Sequence, residues 1–449
     1  MSDLADLIQR ELRLSLLTAP QLCQRLGISQ PTLSRAVGKI SSIVKVGRAR
    51  RVRYALLRGV AVQVNRIDPN GALHAAEHQL LPVYPHGYVL THIERVAFPL
   101  SDDLLDGYFE SLPYFLYAAR PQGFLGRLYA KQASARLGIG SNPAQWQDDD
   151  IVRSLQDLAG AAAGAYLLGD AFGAPPPIND NYLALAEQAL QGDIAGSSAG
   201  GEFPKFVTRT AQGEVIVKFS APDDSPPARR WKDLLIAESC FAAVAPLLGV
   251  VAATSRILHA GGRVFFETQR FDRLPNGRVT HCALGDLAPA LTGQTGGRWD
   301  TVTAAFVTHG WLDADTQSAI RRLSIFGALI GNTDMHHGNL SFYAGRDATV
   351  RPELVEACPE PEACPEPVEG ELPRRTLQLS PLYDMLPMGY APRANGEIPR
   401  YQIDLQSHLP DENFHQARAA AQKYWQHVAE QPDISTDFAE IARGNAEKL

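Results

Sequence analysis

Gly331-Asn-Thr-Asp334-Met-His336-His337-Gly-Asn339 follows an apolar run, Ile320–Ile330, that reads as a helix stopped by its glycine. Four residues separate Asp334 from Asn339, the D-x-x-x-x-N interval of a phosphoryl-transfer catalytic loop. The chemistry accounts for the interval. One carboxylate accepts a hydroxyl proton while an amide oxygen five residues on holds Mg²⁺ on the other side of a γ-phosphate. An Asp followed at that distance by an Asn is common by chance, so the surrounding chain has to carry the weight.

Downstream, Ser380-Pro-Leu-Tyr383-Asp384 follows the apolar Leu377 and Leu379 and offers a second acid at the end of a strand, as a metal-holding carboxylate requires. Upstream, Gly196-Ser-Ser198-Ala-Gly200-Gly201-Glu-Phe-Pro-Lys205 is a small-residue loop whose adjacent glycines let backbone N–H groups approach phosphate oxygens. Gly213–Phe219 is a second β-rich run with Lys218 directly after Val215-Ile-Val217. An exposed strand lysine is the commoner outcome at such a place. In residues 228–248, however, Trp231, Leu234, Leu235, Phe241, Ala242 and Ala245 form a helical apolar stripe, and Glu238 falls on it. A carboxylate on a buried face is costly unless paired, and Lys218 is its natural partner. The order glycine loop, strand Lys, helix Glu, D-x-x-x-x-N, second Asp is that of an ATP-dependent phosphotransferase. His336 and His337 are adjacent and so point different ways, with no Cys or His cluster near them, which disfavours zinc.

The other end of the chain has a different character. Residues 1–58 hold eleven Lys or Arg against three Asp or Glu, about +8, so the −7 of the whole chain leaves about −15 for the remainder. From Arg25 to Arg58 there is no acidic residue, which is unfavourable unless a polyanion neutralises the segment. Leu4, Leu7, Ile8 and Leu12 predict a helix over 3–16; Thr18 and Pro20 open a second, Gly27 turns the chain, and Pro31 opens a third with Leu33, Ala36, Val37 and Ile40 inward. Its outer positions, Gln30, Thr32, Ser34, Arg35 and Lys39, can reach base edges and phosphates. Residues 43–56 alternate around Gly47, with Arg48, Arg50 and Arg51 at the tip. This is the pattern of a winged helix-turn-helix domain that binds DNA. The plainer alternative is a small helical module docking on protein.

With 449 residues, 45% hydrophobic and 20% charged, the chain predicts a globular protein of several domains. No apolar run approaches a membrane span and Met1–Arg10 is no signal peptide, so a cytoplasmic location is expected. The five cysteines form no CxxC pair and are expected reduced. Residues 59–190 read as a scaffold domain without visible chemistry, Asp148–Leu168 being a helix that runs into an alanine-rich packed segment. Glu356–Pro361 is repeated as Glu362–Pro367 among seven glutamates between Glu353 and Glu371, predicting a disordered insertion over about 346–375.

Taken together, Ser198-Ala-Gly-Gly-Glu-Phe-Pro-Lys205, Val217-Lys218, Gln269-Arg-Phe-Asp-Arg273, Gly331-Asn-Thr-Asp334, Asn339 and Ser380-Pro-Leu-Tyr-Asp384 resemble the HipA family of bacterial toxin kinases over roughly 100–410. The resemblance implies an α+β, two-lobed protein-kinase-like fold, with 59–190 as scaffold subdomain, 191–278 as ATP-binding small lobe and 279–449 as helical lobe. It implies a serine/threonine protein kinase acting on a bacterial protein, known targets of the family belonging to the translation machinery, with ATP and Mg²⁺ as cofactors. Carried over, Asp334 resembles the catalytic base, and Asn339 and Asp384 the Mg²⁺ ligands. Gly200, Gly201, Lys205, Lys218, Gln269, Phe271, His336 and Tyr383 fall at nucleotide-binding positions, and Ser198 matches a serine that members autophosphorylate. The chain departs from the family in carrying its own DNA-binding domain for an operator, which puts the need for a partner antitoxin in doubt. It also departs in the length between Asn339 and Asp384, and in Gln269 where an acid is often seen. Two readings remain beside this one: a DNA-binding regulator whose kinase-like half only senses ATP, and a small-molecule phosphotransferase.

Overall fold

Ile8, Leu12 and Leu22 are fully buried, and each side chain so removed from water contributes about 1.5–3 kcal/mol. They draw together α1 (Ser2–Leu14), β1 (Leu17–Thr18), α2 (Ala19–Leu26), α3 (Gln30–Val37), β2 (Ile43–Val46) and β3 (Arg53–Leu56), the strands forming an antiparallel sheet in the order β1-β3-β2. The computed structural model describes residues 2–47, 52–170, 176–192, 203–345, 375–403 and 411–449. Thr18 caps α2 through a reciprocal box with Gln21, and Gly27 ends it in a left-handed turn at φ +65°. The third helix is shorter than its apolar pattern predicts, stopping at Val37; Ile40 lies beyond it yet still packs on the same core. Gln30, Ser34, Arg35 and Lys39 are exposed and Thr32 is half-buried. Arg48, Arg50 and Arg51 lie outside the described residues.

A five-stranded antiparallel sheet follows, ordered β7-β6-β5-β4-β8, from β4 (Val62–Ile67), β5 (Leu73–Pro82), β6 (Tyr88–Leu90), β7 (Tyr108–Phe109) and β8 (Tyr166–Leu168). With it come α4 (Tyr114–Tyr117), α5 (Gly123–Leu137) and α6 (Asp148–Leu158). The helix predicted from Asp148 ends at Leu158, and Tyr166–Leu168 forms a strand against Val64–Arg66. All three of its residues are buried, so no alternation betrays it in the sequence.

Next come α7 (Tyr182–Gly192), β9 (Lys205–Thr210), β10 (Gly213–Phe219), α8 (Pro226–Cys240), β11 (Ser255–Ala260) and β12 (Arg263–Gln269), with the strands ordered β11-β12-β10-β9. The apolar stripe expected to run on to residue 248 is broken at Cys240 into two short 3₁₀ turns, 241–243 and 245–248. Pro246 lacks the N–H a continuing helix needs. The rest is mainly helical: β13 (His281–Ala283), α9 (Leu284–Thr292), α10 (Trp299–Thr308), α11 (Ala314–Ile330), β14 (Ser341–Ala344), β15 (Leu377–Leu379), α12 (Glu412–Glu430) and α13 (Thr436–Lys448). Strands β13, β14 and β15 make a small antiparallel sheet beneath the 331–339 loop. The expected insertion of 346–375 lies outside the described residues, save its last position.

Candidate active site

Two lysines and two acids meet where the four-stranded sheet faces the helical lobe. Lys218 pairs across the strands with Phe266 and Lys205, so both ammonium chains leave the same face of the sheet. Helix α8, capped by Ser225, carries Glu238 beneath them, and Lys218 Nζ lies 2.7 Å from both Glu238 oxygens. The same ammonium bonds the Asp384 carboxylate. Glu238 Oε1 also accepts the backbone N–H of Asp384 at 3.2 Å, so helix, strand and the 380–385 segment share one knot.

Asp384 sits at φ +56°, a conformation a non-glycine side chain rarely adopts and one that local contacts have to enforce. Here the enforcement is visible: Asn332 Nδ2 donates to Asp384 O at 3.2 Å while Asn332 Oδ1 accepts from Asp334 N at 3.0 Å. Asn332 thus ties the acid at 384 to the loop bearing Asp334 and Asn339. It stood within the Gly-Asn-Thr-Asp motif without a role; an Asn two residues before the aspartate is an Asx-turn signal that could have supplied one.

The loop itself rests on α11. A Cβ on Gly327 would stand 2.0 Å from Met335 Sδ, so the glycine leaves the seat in which the Met335 side chain lies against the helix. Gly331 turns out of α11 at φ +74°. Asn339 is buried, and its Nδ2 donates to Asp334 O at 2.9 Å, which spends the amide's donor inward and leaves its oxygen as the group able to face a ligand. Asp334 is exposed at the mouth. The ring of His336 accepts Gly338 N–H at 3.0 Å, and its carbonyl accepts from Trp299 Nε1. His337 Nε2 meets Gly297 O at 2.8 Å. No group of three or more potential His, Cys, Asp or Glu ligands occurs among the described residues.

Tyr383 links the loop to the strand end. Its hydroxyl donates to Gly338 O at 2.9 Å and shares a bond with Ser341 Oγ, and its ring stacks on Phe271 with centroids 5.6 Å apart. The Phe271 carbonyl accepts from Tyr343 OH, and Gln269 donates its N–H to Thr254 O and its side-chain amide to Gln212 O. The Phe271 ring thus packs on Tyr383, while the Gln269 side chain is committed to holding Gln212. Ser198, Gly200 and Gly201 lie outside the described residues.

Electrostatics set the two acids apart. Burial alone would raise the Asp384 carboxyl, but Lys218 and Lys205 outweigh it and hold the group at about 2. Burial and the neighbouring Asp384 charge push Glu238 up to about 7 despite Lys218. Burial opposes the Lys218 charge, yet Asp384 and Glu238 together keep it firmly protonated. The order is consistent: Lys218 bridges both carboxylates, Glu238 is the buried one, and Asp384 stays partly exposed beside Lys205. Asp384 and Asn339 offer a carboxylate and an amide oxygen, hard donors that suit Mg²⁺, an ion that takes few protein ligands and fills its shell with phosphate and water. The donor set fits.

Comparison with known proteins identifies the family. Residues 58–173 match the family described as YjjJ-like toxin, middle domain, and residues 197–353 match the HipA-like C-terminal domain. The chain is 33% identical to Toxin YjjJ of Escherichia coli strain K12 over 474 aligned positions, covering 100% of this chain and 97% of that protein. A solved HipA from Shewanella oneidensis MR-1, in complex with HipB and operator DNA, aligns over 86% of this chain and 95% of its own at 15% identity, TM-score 0.52. The Helicobacter pylori proinflammatory kinase CtkA aligns over 57% of this chain at TM-score 0.37, too loosely to bear on the fold.

Proposed function

The chain belongs to the HipA-like toxin family, and from that premise we propose that it is an ATP-dependent serine/threonine protein kinase whose N-terminal module binds DNA. The observation that carries the catalytic half is the meeting of Lys218, Glu238 and Asp384 at a segment tied through Asn332 to the loop of Asp334 and Asn339. Lys218 and Lys205 present positive charge to a triphosphate, with Gly200 and Gly201 as its backbone cradle. Asp384 and Asn339 would hold Mg²⁺, which neutralises phosphate charge when bound. Asp334, exposed at the mouth, orients a Ser or Thr hydroxyl and takes its proton. The phosphoryl acceptors are a bacterial protein, a translation component being the first candidate, and Ser198 of the chain itself.

The test is direct. Full-length protein with radiolabelled ATP and Mg²⁺ labels itself on Ser198, and Asp334→Ala lowers the rate by about a hundredfold or more while nucleotide still binds. Labelling undiminished in Asp334→Ala removes the assignment.

The N-terminal reading rests on the three helices and three-stranded sheet, with Gln30, Ser34, Arg35 and Lys39 exposed on one module that has no acid between Arg25 and Arg58. This winged helix-turn-helix binds an operator of the chain's own gene, for autoregulation. The analogy with the Shewanella HipA, solved with HipB and operator DNA, would add a HipB-type antitoxin as a partner, a need that the fused DNA-binding module removes for operator contact. Affinity for promoter DNA falls steeply with salt, by a log–log slope of about 0.9 per phosphate contact, and Arg35→Glu with Lys39→Glu reduces it. Binding indifferent to both salt and these charges refutes it.

A further inference from the structure

We propose that the middle module, residues 62–168, is a brace that sets the catalytic cleft from outside, with Arg273 and Arg120 as its two positioning residues. Its effect on turnover rests on the kinase reading above; its geometry does not.

The first foot of the brace stands behind Phe271. The turn 160–164, which connects α6 to β8, inserts its backbone into a buried charged cluster on the chain just after β12. Arg273 Nη2 donates to Ala162 O at 2.6 Å and Nη1 to Gly164 O at 3.1 Å. Arg278 Nη2 reaches Gly160 O at 2.7 Å, and Gly164 N–H donates to Asp272 Oδ2 at 2.9 Å. Asp272 in turn accepts from Arg270 at 3.0 and 2.8 Å and from Arg273 at 2.7 Å. Phe271 is therefore flanked on both sides by residues locked to one another, and through Asp272 to the middle module. In this run the sequence expectation places Gln269 and Phe271 at the nucleotide; the charged Arg270, Asp272 and Arg273 bond one another and the 160–164 turn.

The second foot stands behind the catalytic loop. Arg120, its guanidinium 3.9 Å over the Tyr117 ring, donates to Asp286 Oδ1 at 2.8 Å. Asp286 is buried in the first turn of α9. Leu284, at the start of that helix, donates its N–H to Leu340 O at 2.7 Å, one residue after Asn339. A Cβ on Gly285 would lie 3.4 Å from His337 Cβ, so α9 packs directly on the loop. One module thus holds the strand-end wall of the cleft and the metal-binding side of the loop at the same time. A shift of about 1 Å between such groups costs on the order of a hundredfold in rate.

The brace predicts a division of effects that general destabilisation would not produce. In the full-length protein, Arg120→Ala lowers kcat about tenfold and leaves ATP affinity within about twofold, whereas Arg273→Met raises the ATP dissociation constant about tenfold. Arg120→Lys restores kcat because one nitrogen makes the contact with Asp286; Arg273→Lys does not restore affinity, because two nitrogens serve four acceptors. Hydrogen exchange supplies a readout independent of turnover. Arg120→Ala accelerates exchange in 284–292 and 337–341 but not in 205–219, and Arg273→Met does so in 160–164 and 269–273. Exchange unchanged in those segments, or raised uniformly with a fall in Tm, overturns the brace. A wild-type protein that binds no nucleotide overturns the kinase reading instead, and the exchange maps still decide the brace.

Discussion

Lys218 bonds the buried Glu238 and the partly exposed Asp384, and the pH behaviour of the site follows from the difference between the two acids. Asp384 is held at about 2, below its ordinary 3.8, so it adds stability above pH 3.8 that is lost as the pH falls towards 2. Glu238 is pushed from 4.5 up to about 7, so the folded chain holds a proton there that the unfolded chain has released. Its contribution to stability accordingly declines as the pH rises from 4.5 to 7. Lys218→Met leaves the buried Glu238 without its ion-pair partner, and the expected loss is about 3–5 kcal/mol at neutral pH. Protonation relieves it, so denaturant titrations at pH 7.5 and 5.5 recover a substantial part of the loss at the lower pH. A deficit independent of pH would mean that the acids are solvated and the pair is not a buried one. Lys205, opposite Lys218 on the next strand, adds a like charge that a triphosphate would neutralise, so Lys205→Ala weakens ATP binding more than it weakens the fold.

The 331–339 loop depends on elements whose own signals lie elsewhere. Helix α11 ends where Gly331 turns left-handed, a stop legible in the sequence. That Gly327, a full turn earlier, must lack a side chain is not legible, since a mid-helix glycine has no local reason to be there. Helix propensity alone makes Gly327→Ala stabilising by about 0.5–1 kcal/mol. Met335 opposes that gain, because its thioether has to leave its seat against α11 and overpacking of that seat costs about 1–3 kcal/mol. The measurement is a melting curve beside a labelling rate, and a raised Tm with full activity would remove Gly327 from the account. Helix α8 illustrates the converse case. Its apolar stripe identified Glu238 although the helix ends eight residues earlier than the stripe, because Leu248 and Phe241 remain buried in 3₁₀ turns that continue the same packing.

At the scale of the whole chain the N-terminal module is fastened to the middle module. Arg53 Nη2 meets Asp106 at 2.6 Å, and Arg58 grips Asp149, which Tyr88 OH also bonds. Val46 and Ala55 share a small buried cluster with Val83 and Val89. The Arg58 pair is partly exposed, so its contribution is modest, about 0–1 kcal/mol by itself, but it sits at the junction. Arg58→Ala is expected to separate the unfolding of residues 2–56 as an earlier step, seen as a second transition by calorimetry, while the self-labelling proposed above is unchanged. A single unchanged transition would show that the apolar cluster alone couples the modules. No helix among the described residues is long and apolar enough to cross a membrane.

The sequence by itself determined the order of chemical parts, since the spacing of Asp334 and Asn339, the strand before Lys218, the stripe bearing Glu238 and the charge split at the N-terminus are local or periodic features that a linear string preserves. It identified the HipA-like resemblance through those same residues. Only the tertiary structure decided which groups meet. Asn332 bonding Asp384, Tyr383 stacking on Phe271 and Arg273 receiving the carbonyls of residues 160–164 join positions 50 to more than 100 residues apart. Such contacts have no period and no required spacing; they depend on how separate sheets pack, which is set by the sum of buried surfaces and not by any one stretch of chain.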